Sequence, residues 1–345
     1  MEQFGVPRDT LDKRNPFDLT DHKFVRLFRV SKNLCREVVE MVSPFVREPT
    51  RESALSIRTK VLATLRFFGT GSYQEVTGSN NFVGISQASA SRAITEISNA
   101  LNEATILNRL INYPQTIAEL EALRTSCGCI DCTHIAIVAP HKNDPNFPEH
   151  VYVNRKNYHS INVQLVCDSN LKILNVNSKF PGSCHDSHIW RQSPVSDFME
   201  TVHRRNRNNV FFLFGDSGYP TRPWLLTPIN NARNLGEERF NDRLCSIRSV
   251  IERCNAVLKN RFRCLLRYRT LHYSPSMAGK ITNACCVLHN LCIANRVPEV
   301  EEPHPVKPDY GMYALNQLNF LRPSANVDLA AARALQQHII NTHFT

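Results

Sequence analysis

The chain has 345 residues, 42% hydrophobic and 21% charged, which suits one large folded domain or two ordinary ones and excludes global disorder. Lys and Arg outnumber Asp and Glu by 41 to 31, a formal net charge of +10, and such a balance favours a polyanionic partner, nucleic acid before membrane. Twelve cysteines fall below the density of a disulfide scaffold, residues 1–16 hold no apolar signal region and no run approaches the roughly 20 apolar residues of a membrane span, so a soluble intracellular protein with reduced thiols is expected.

Up to about residue 125 the periodicity is helical. Between Leu55 and Phe68, the residues Ile57, Val61, Leu65 and Phe68 recur at spacings of three and four, one helix face. Ser72–Phe82 fits a second short helix. Ser86 suits an N-cap, because its hydroxyl can accept from the free amides of a first turn, and Ala93, Ile94, Ile97 and Leu101 supply the stripe of the helix that follows. Helix, short turn containing Gly84, then a helix opening with Ser, Gln and Arg is a helix-turn-helix-like pattern. It would present Gln87, Ser89, Ser91 and Arg92 to a DNA groove; a plain helical bundle with polar caps is the alternative.

From about residue 126 the period changes. Residues 127–140 (CGCIDCTHIAIVAP) are β-like, 160–168 and 171–180 fit an antiparallel pair turning at Ser169-Asn170, and 210–214 (VFFLF) is a further strand. HDSHIWRQSPVSDFMETV between the last two fits helix or helix pieces. Asn241–Phe262 is a long amphipathic helix and Lys280–Ala294 an almost wholly apolar one. Strands first in hairpin order and then separated by helices predict a mixed α/β sheet. The expected organisation is a helical N-terminal domain (1–125), an α/β domain (126–295) and a C-terminal tail (296–345) with a helical stretch, VDLAAARALQQHI.

Acids stand at the structural landmarks of the α/β part. Asp131 sits in the first strand, Asp186 follows the third, Asp216 ends the run VFFLF-Gly215, and Glu252 lies mid-helix. On that helix Leu244, Ile247, Ile251, Cys254 and Leu258 form an apolar stripe, while Arg248, Glu252, Asn255, Lys259 and Arg263 line another face. Glu252 is the one acid there. An i,i+4 pair with Arg248 would explain it, at a few tenths of a kcal/mol; a metal-ligating carboxylate beside phosphate-binding cations is the functional alternative. If the acids converge, hard divalent cations suit them, because Mg²⁺ takes oxygen ligands and substrate phosphate. Two such ions can stabilise the attacking and leaving oxygens of phosphodiester displacement. Without metal, clustered acids repel and take up protons.

The motifs C-I-D-C-T-H-I (129–135), Y-V-N-R-K-N-Y-H-S (152–160), P-G-S-C-H-D-S (181–187), G-D-S-G-Y-P (215–220) and I-E-R-C-N-A-V-L-K-N-R-F (251–262) stand in order along the chain. In them the chain resembles the PIF/Harbinger-type DDE transposases, and within these the Harbinger transposase-derived nucleases. A-C-C-V-L-H-N (284–290) and the closing T-H-F-T fit that group too. The resemblance covers nearly the whole chain, most specifically 129–292. It implies an RNase H-like DDE catalytic domain, a mixed sheet flanked by helices, behind an all-helical N-terminal domain. Asp131, Asp216 and Glu252 would be the catalytic triad, and Asp186 a further metal ligand beside them. The implied cofactor is Mg²⁺ or Mn²⁺, and the implied reaction is attack of water or a DNA 3′ hydroxyl on a DNA phosphodiester. Cys254 departs from the Thr or apolar residue expected there; no acidic position is lost.

Arg155 and Lys156, with Asn154, form a compact basic loop suited to phosphate contact, and Arg248 and Lys259 would hold phosphates from the long helix. The resemblance also implies DNA as partner, a separate Myb-like protein for targeting, nuclear residence with cytoplasm as the alternative, and an oligomer as an open option. A domesticated scaffold that keeps the acids without cutting is the alternative function. Zinc is disfavoured: strand alternation puts Cys127 and Cys129 on one face and Cys132 and His134 on the other. Cys285, Cys286, His289 and Cys292 fit core packing on an apolar helix. His185 and His188 flank Asp186 and could support it. Nothing orders a Cys–His protease.

Overall fold

The computed structural model describes residues 15–47, 54–71, 84–123, 128–205, 211–300 and 325–344. The N-terminal part is helical: α1 (Asp21–Phe28), α2 (Lys32–Val42), α3 (Ile57–Thr70), α4 (Gln87–Leu101), α5 (Ala104–Leu110) and α6 (Ile117–Ala122). Hydroxyl caps set the starts. Thr20, Ser31, Ser56 and Ser86 each accept from the amide three residues on, as an N-cap should. The short helix expected over Ser72–Phe82 lies outside the described residues.

Five strands follow: β1 (Cys129–Ala136), β2 (Ser160–Cys167), β3 (Ile173–Pro181), β4 (Leu213–Phe214) and β5 (Leu225–Leu226). Their order in the sheet is β3-β2-β1-β4-β5. The first three are antiparallel neighbours, and β4 and β5 join parallel to β1. This is the mixed sheet of an RNase H-like α/β fold. The β2–β3 turn forms where expected, with Asp168 accepting from the amides of Asn170 and Lys172. Of the run VFFLF, Val210 lies outside the described residues, Leu213 and Phe214 are in the ladder and Phe211 and Phe212 are not, so the described strand is shorter than the apolar content suggests.

Helices cover both faces. α7 (Asp186–Arg191) and α8 (Pro194–Arg205) lie on one; α9 (Leu235–Arg261) and α10 (Pro275–Ala294) lie on the other. Strand alternation divides the core accordingly. Cys129, Ile135, Val163 and Leu165 join Ile251, Leu258, Ile281 and Leu288, and this cluster continues without a break into Phe24, Leu65, Phe68 and Ile97 of the N-terminal helices. Ile130, Val166 and Leu174 pack on the opposite face with Trp190, Met199 and Trp224. α9 begins six residues before the predicted start: Asn234 caps it, accepting from the Glu237 amide at 2.9 Å. Its first turns are polar, so no apolar period marked them. The C-terminal helix α11 (Ala325–His343) packs on α9, with Ala332 and Ile340 buried, Phe344 against Phe240, and Gln336 donating to the Thr227 carbonyl.

Candidate active site

β1 carries the first acid. Asp131 points to the α9 side, the same side as Cys129, Thr133 and Ile135, and α9 runs alongside β1 in matching order. The Cys129 thiol reaches the Ile247 carbonyl, the Asn255 amide donates to Asp131 Oδ2 at 3.2 Å, and Lys259 Nζ donates to Thr133 Oγ1 at 2.6 Å and the His134 carbonyl at 3.1 Å. Arg248, Glu252, Asn255 and Lys259, spaced by three and four, form the stripe of α9 that meets β1. Arg263 does not belong to it. The helix ends at Arg261, and Arg263 turns away to donate to the Tyr268 hydroxyl at 2.8 Å.

Parallel pairing of β4 with β1 places Asp216 immediately beyond the ladder, next to Asp131. Its carboxylate is held by its own turn, with the Gly218 N–H donating to Oδ1 at 2.9 Å. Asp186 arrives from a third direction, at the start of α7. Gly182 permits that approach, because a Cβ there would collide with Ser160 and the Tyr152 carbonyl. Asn162 on β2 then donates to both Asp186 Oδ1, at 3.0 Å, and the Cys184 carbonyl, at 2.9 Å.

The acids are close enough to perturb one another. Desolvation pushes the Asp131 carboxyl well above the ordinary carboxylate range; Asp216 and Asp186 push it further, and Arg248 opposes them. Asp186 is raised as well, by desolvation and Asp216, against the hydrogen bonds from Asn162 and Cys132 and the charge of Arg155. Glu252 lies buried one helical turn from Asn255, in an i,i+4 ion pair with Arg248 at 3.7 Å. So Arg248, expected as a phosphate contact, is 6% exposed and faces the carboxylates instead of an open surface. On the far side of β1 the Cys132 thiol and the buried Tyr219 hydroxyl are 3.1 Å apart. Burial and the neighbouring carboxylates hold both in their neutral forms.

A basic end continues from this acidic one. Arg155 and Lys156 are exposed on a loop that Asn154 staples: its Oδ1 accepts from the Lys156 amide and its Nδ2 donates to Ser160 Oγ, both at 2.8 Å. Asn154 is thus a buried brace, not a phosphate contact. Ser160 in turn lies 3.1 Å from His134 Nδ1. Burial, Lys259, Arg155 and Lys156 hold His134 down at about 4, so its imidazole is neutral and Nδ1 can accept from that hydroxyl. Gln87 and Arg92 are exposed at the start of α4, where Arg92 donates to Ser89. His185 and His188 are also exposed, His188 lying edge-on to Phe180 beside Gln192.

Among the described residues, no group of three or more His, Cys, Asp or Glu side chains stands in position to hold a metal ion. The space beside the acids nonetheless suits one. A Cβ on Gly218 would sit 3.0 Å from Asp216 Oδ1, a tight approach, and 3.5 Å from Asp186 Oδ2, an ordinary contact, so glycine here leaves room beside these carboxylates. Asn162 Oδ1, on the Asp186 side of β1, and Asn255 Oδ1, on the Asp131 side, are each buried without a hydrogen-bond donor. An all-oxygen set of this kind fits a hard, partly hydrated divalent cation. Among the described residues, the cysteines form no metal-holding group either. Cys129 and Cys132 face opposite sides of β1, Cys127 lies outside the described residues, and Cys285, Cys286 and Cys292 are buried in core contacts.

Sequence reasoning gave no role to Asn162 or Gly218, and placed Asn255 on the polar face of its helix without a partner. The first carried a signal: in SINVQLVC, Asn162 and Gln164 alternate with apolar residues, so both polar groups occupy one face of a buried strand.

Comparison with known proteins is decisive on kinship. Residues 130–290 match the family model of the DDE superfamily endonuclease. The chain is 32% identical over 361 residues to "Putative nuclease HARBI1" of Bos taurus, covering 99% of this chain and 96% of the relative. The chain belongs to the Harbinger-type DDE transposase family. The Homo sapiens protein of the same name is also 32% identical, over 99% of this chain and 96% of its own length. "Protein ALP1-like" of Arabidopsis thaliana is 26% identical over 79% of this chain and 71% of its own. No solved structure matches. Among the described residues, no helix is long and apolar enough to cross a membrane.

Proposed function

We propose that this chain is an endonuclease that cleaves DNA phosphodiester bonds with divalent metal, Asp131, Asp216 and Glu252 being its catalytic acids and Asp186 a further ligand. One observation supports this above the rest: Asp131, Asp186 and Asp216 come from three separate elements and crowd together so that their charges oppose one another. Such an arrangement is unfavourable until a cation neutralises it. Mg²⁺ or Mn²⁺ would supply Lewis-acid stabilisation of the attacking and leaving oxygens of the phosphodiester.

The protein's own groups do the rest. The Gly218 amide and Asn162 fix the Asp216 and Asp186 carboxylates, and Asn255 fixes Asp131. Arg248 limits the accumulated negative charge and orients Glu252. Lys259, tied to β1, with exposed Arg155 and Lys156, attracts the phosphate backbone next to the acids. Gln87 and Arg92 add duplex contacts from the helical part. A DNA substrate places the working protein in the nucleus, where a Myb-like protein would supply targeting.

The test is cleavage of DNA by the purified full chain with Mg²⁺ or Mn²⁺, compared with Asp216→Ala. The substitution should lower the rate by about 10²- to 10³-fold or more, the scale of losing one principal electrostatic element. Cleavage unchanged by it would remove these residues from the chemistry.

A further inference from the structure

Beyond the acids, the basic end of β1 leads to a surface that the DNA-cleavage reading does not use. The segment 263–272 (RCLLRYRTLH) joins α9 to α10 and contains no acid. It is fastened to the end of β1: the Leu271 amide donates to the Ala136 carbonyl at 2.9 Å, and the Val138 amide donates to the Leu271 carbonyl at 3.0 Å. A turn closed by the Arg269 amide on the Leu266 carbonyl, 2.9 Å, puts Arg267 and Tyr268 at its exposed corner.

Tyr268 is 61% exposed, the most open aromatic among the exposed large side chains. Its hydroxyl accepts from Arg263, and the Arg269 guanidinium lies 5.7 Å from its ring centroid. Arg267 lies over the neighbouring Tyr158 ring at 4.5 Å. Tyr158 belongs to the same loop as Arg155, whose charge reaches Asp186. The surface therefore continues from the acids through Arg155, Tyr158 and Arg267 to Tyr268. From Asp131 to the end of β1 is roughly 17 Å at the rise of a strand, or about five base-pair steps.

The Tyr268 ring is largely open to water, while Arg263 holds its hydroxyl and Arg269 lies beside its ring. Ringed by guanidinium groups, it has the composition of a single-strand platform, where cations follow the backbone and a ring stacks on a base. Within a duplex the base faces are covered by their neighbours, so the ring has access only to an unpaired base. Resting on the nuclease reading above, we infer that Tyr268, flanked by Arg267 and Arg269, is a stacking site for an unpaired nucleotide of the DNA substrate, a few nucleotides from the bond that is cut.

Fluorescence anisotropy of the full chain, without divalent metal, on a single-stranded oligonucleotide and on the matching duplex tests this. Tyr268→Ala should weaken single-strand binding by about 5- to 150-fold, the range for loss of one base–aromatic stack, and duplex binding less than about twofold. Tyr268→Phe keeps the ring and should retain single-strand affinity. Arg267→Gln should lower the slope of log affinity against log salt by about 0.7 on single strands, whereas Tyr268→Ala should leave it unchanged. If the wild type binds and cuts DNA but Tyr268→Ala binds single strands equally well, the stacking site is wrong and the nuclease reading stands. Equal losses for Tyr268→Ala and Tyr268→Phe would assign the effect to the Arg263 hydrogen bond and overturn stacking. A wild type that binds no DNA at all overturns both readings.

Discussion

Replacing Asp131 with Asn should make the metal-free protein more stable. The Asp131 carboxyl is desolvated and faces Asp216 and Asp186, with Arg248 as the opposing charge, itself shared with Glu252. A carboxyl held above its unfolded pKa binds more protons folded than unfolded. Stability therefore falls as pH rises from the unfolded value through the folded one, so the penalty grows from acid towards neutral pH. Asp131→Asn removes the charge yet keeps a carbonyl where Asp131 Oδ2 accepts from Asn255 at 3.2 Å. The gain should be about 0.5–2 kcal/mol, the common scale for a stabilising substitution, or roughly 1–3 °C in Tm for a chain of this size. The assay is thermal melting in chelator at neutral and at acidic pH, repeated with Mn²⁺. The variant should melt higher at neutral pH, the advantage should shrink towards acid, and Mn²⁺ should stabilise the wild type alone. A variant that melts lower than wild type at neutral pH in chelator, or that gains as much from Mn²⁺, would refute the reasoning.

Gly218→Ala should weaken Mn²⁺-induced stabilisation by about 10–100-fold in apparent affinity, the cost of disturbing groups that support a metal ligand; calorimetric titration reads it, and unchanged affinity would mean that the gap seen between Asp216 and Asp186 is not used. His134 is held at about 4 against an ordinary 6.5, so its contribution is fully present above the unfolded value and is lost as pH falls through that window, at most about 3 kcal/mol. His134→Gln should remove that share of the acid sensitivity, visible as a flatter chemical-denaturation profile between those pH values.

What the sequence made legible follows from how local each signal is. Asp131 and Asp216 could be read because each follows or interrupts an apolar run, where a charge needs a reason. The Ser86 cap and the β2–β3 turn are short-range chemistry and formed where the residues called for them. The start of α9 could not be read, because its first turns carry no apolar period and only the Asn234 cap marks them. Nor could the fate of Arg248: a basic stripe at three-four spacing looks the same whether it faces water or a strand. Only the packing of α9 along β1, which depends on residues over 100 positions apart in the chain, turns that stripe inward. The same long-range contact made Asn255 a partner of Asp131. The α3–α4 region is legible only in part, because Ser86 caps α4 as expected while residues 72–83 lie outside the described chain.

The arrangement of the acids also bears on whether the site cuts or merely persists in a scaffold. A scaffold needs the sheet, the α9–β1 packing and the basic surface, and none of these needs Asp186 or Asp216 charged. Their hydrogen bonds come from Asn162 and the Gly218 amide, donors that an asparagine at either position could also use. The Asp186 carboxyl is held above the ordinary carboxylate range by burial and by Asp216, a cost to the metal-free protein that a bound cation would offset. Ligand binding to the native state alone contributes about 2.7 kcal/mol at a hundredfold excess over Kd, enough to offset the repulsion that Asp131→Asn would relieve. The two measurements are therefore one argument: metal should stabilise the wild type by more than the substitution does, and a site for which that order is reversed is a scaffold's remnant, not a nuclease's.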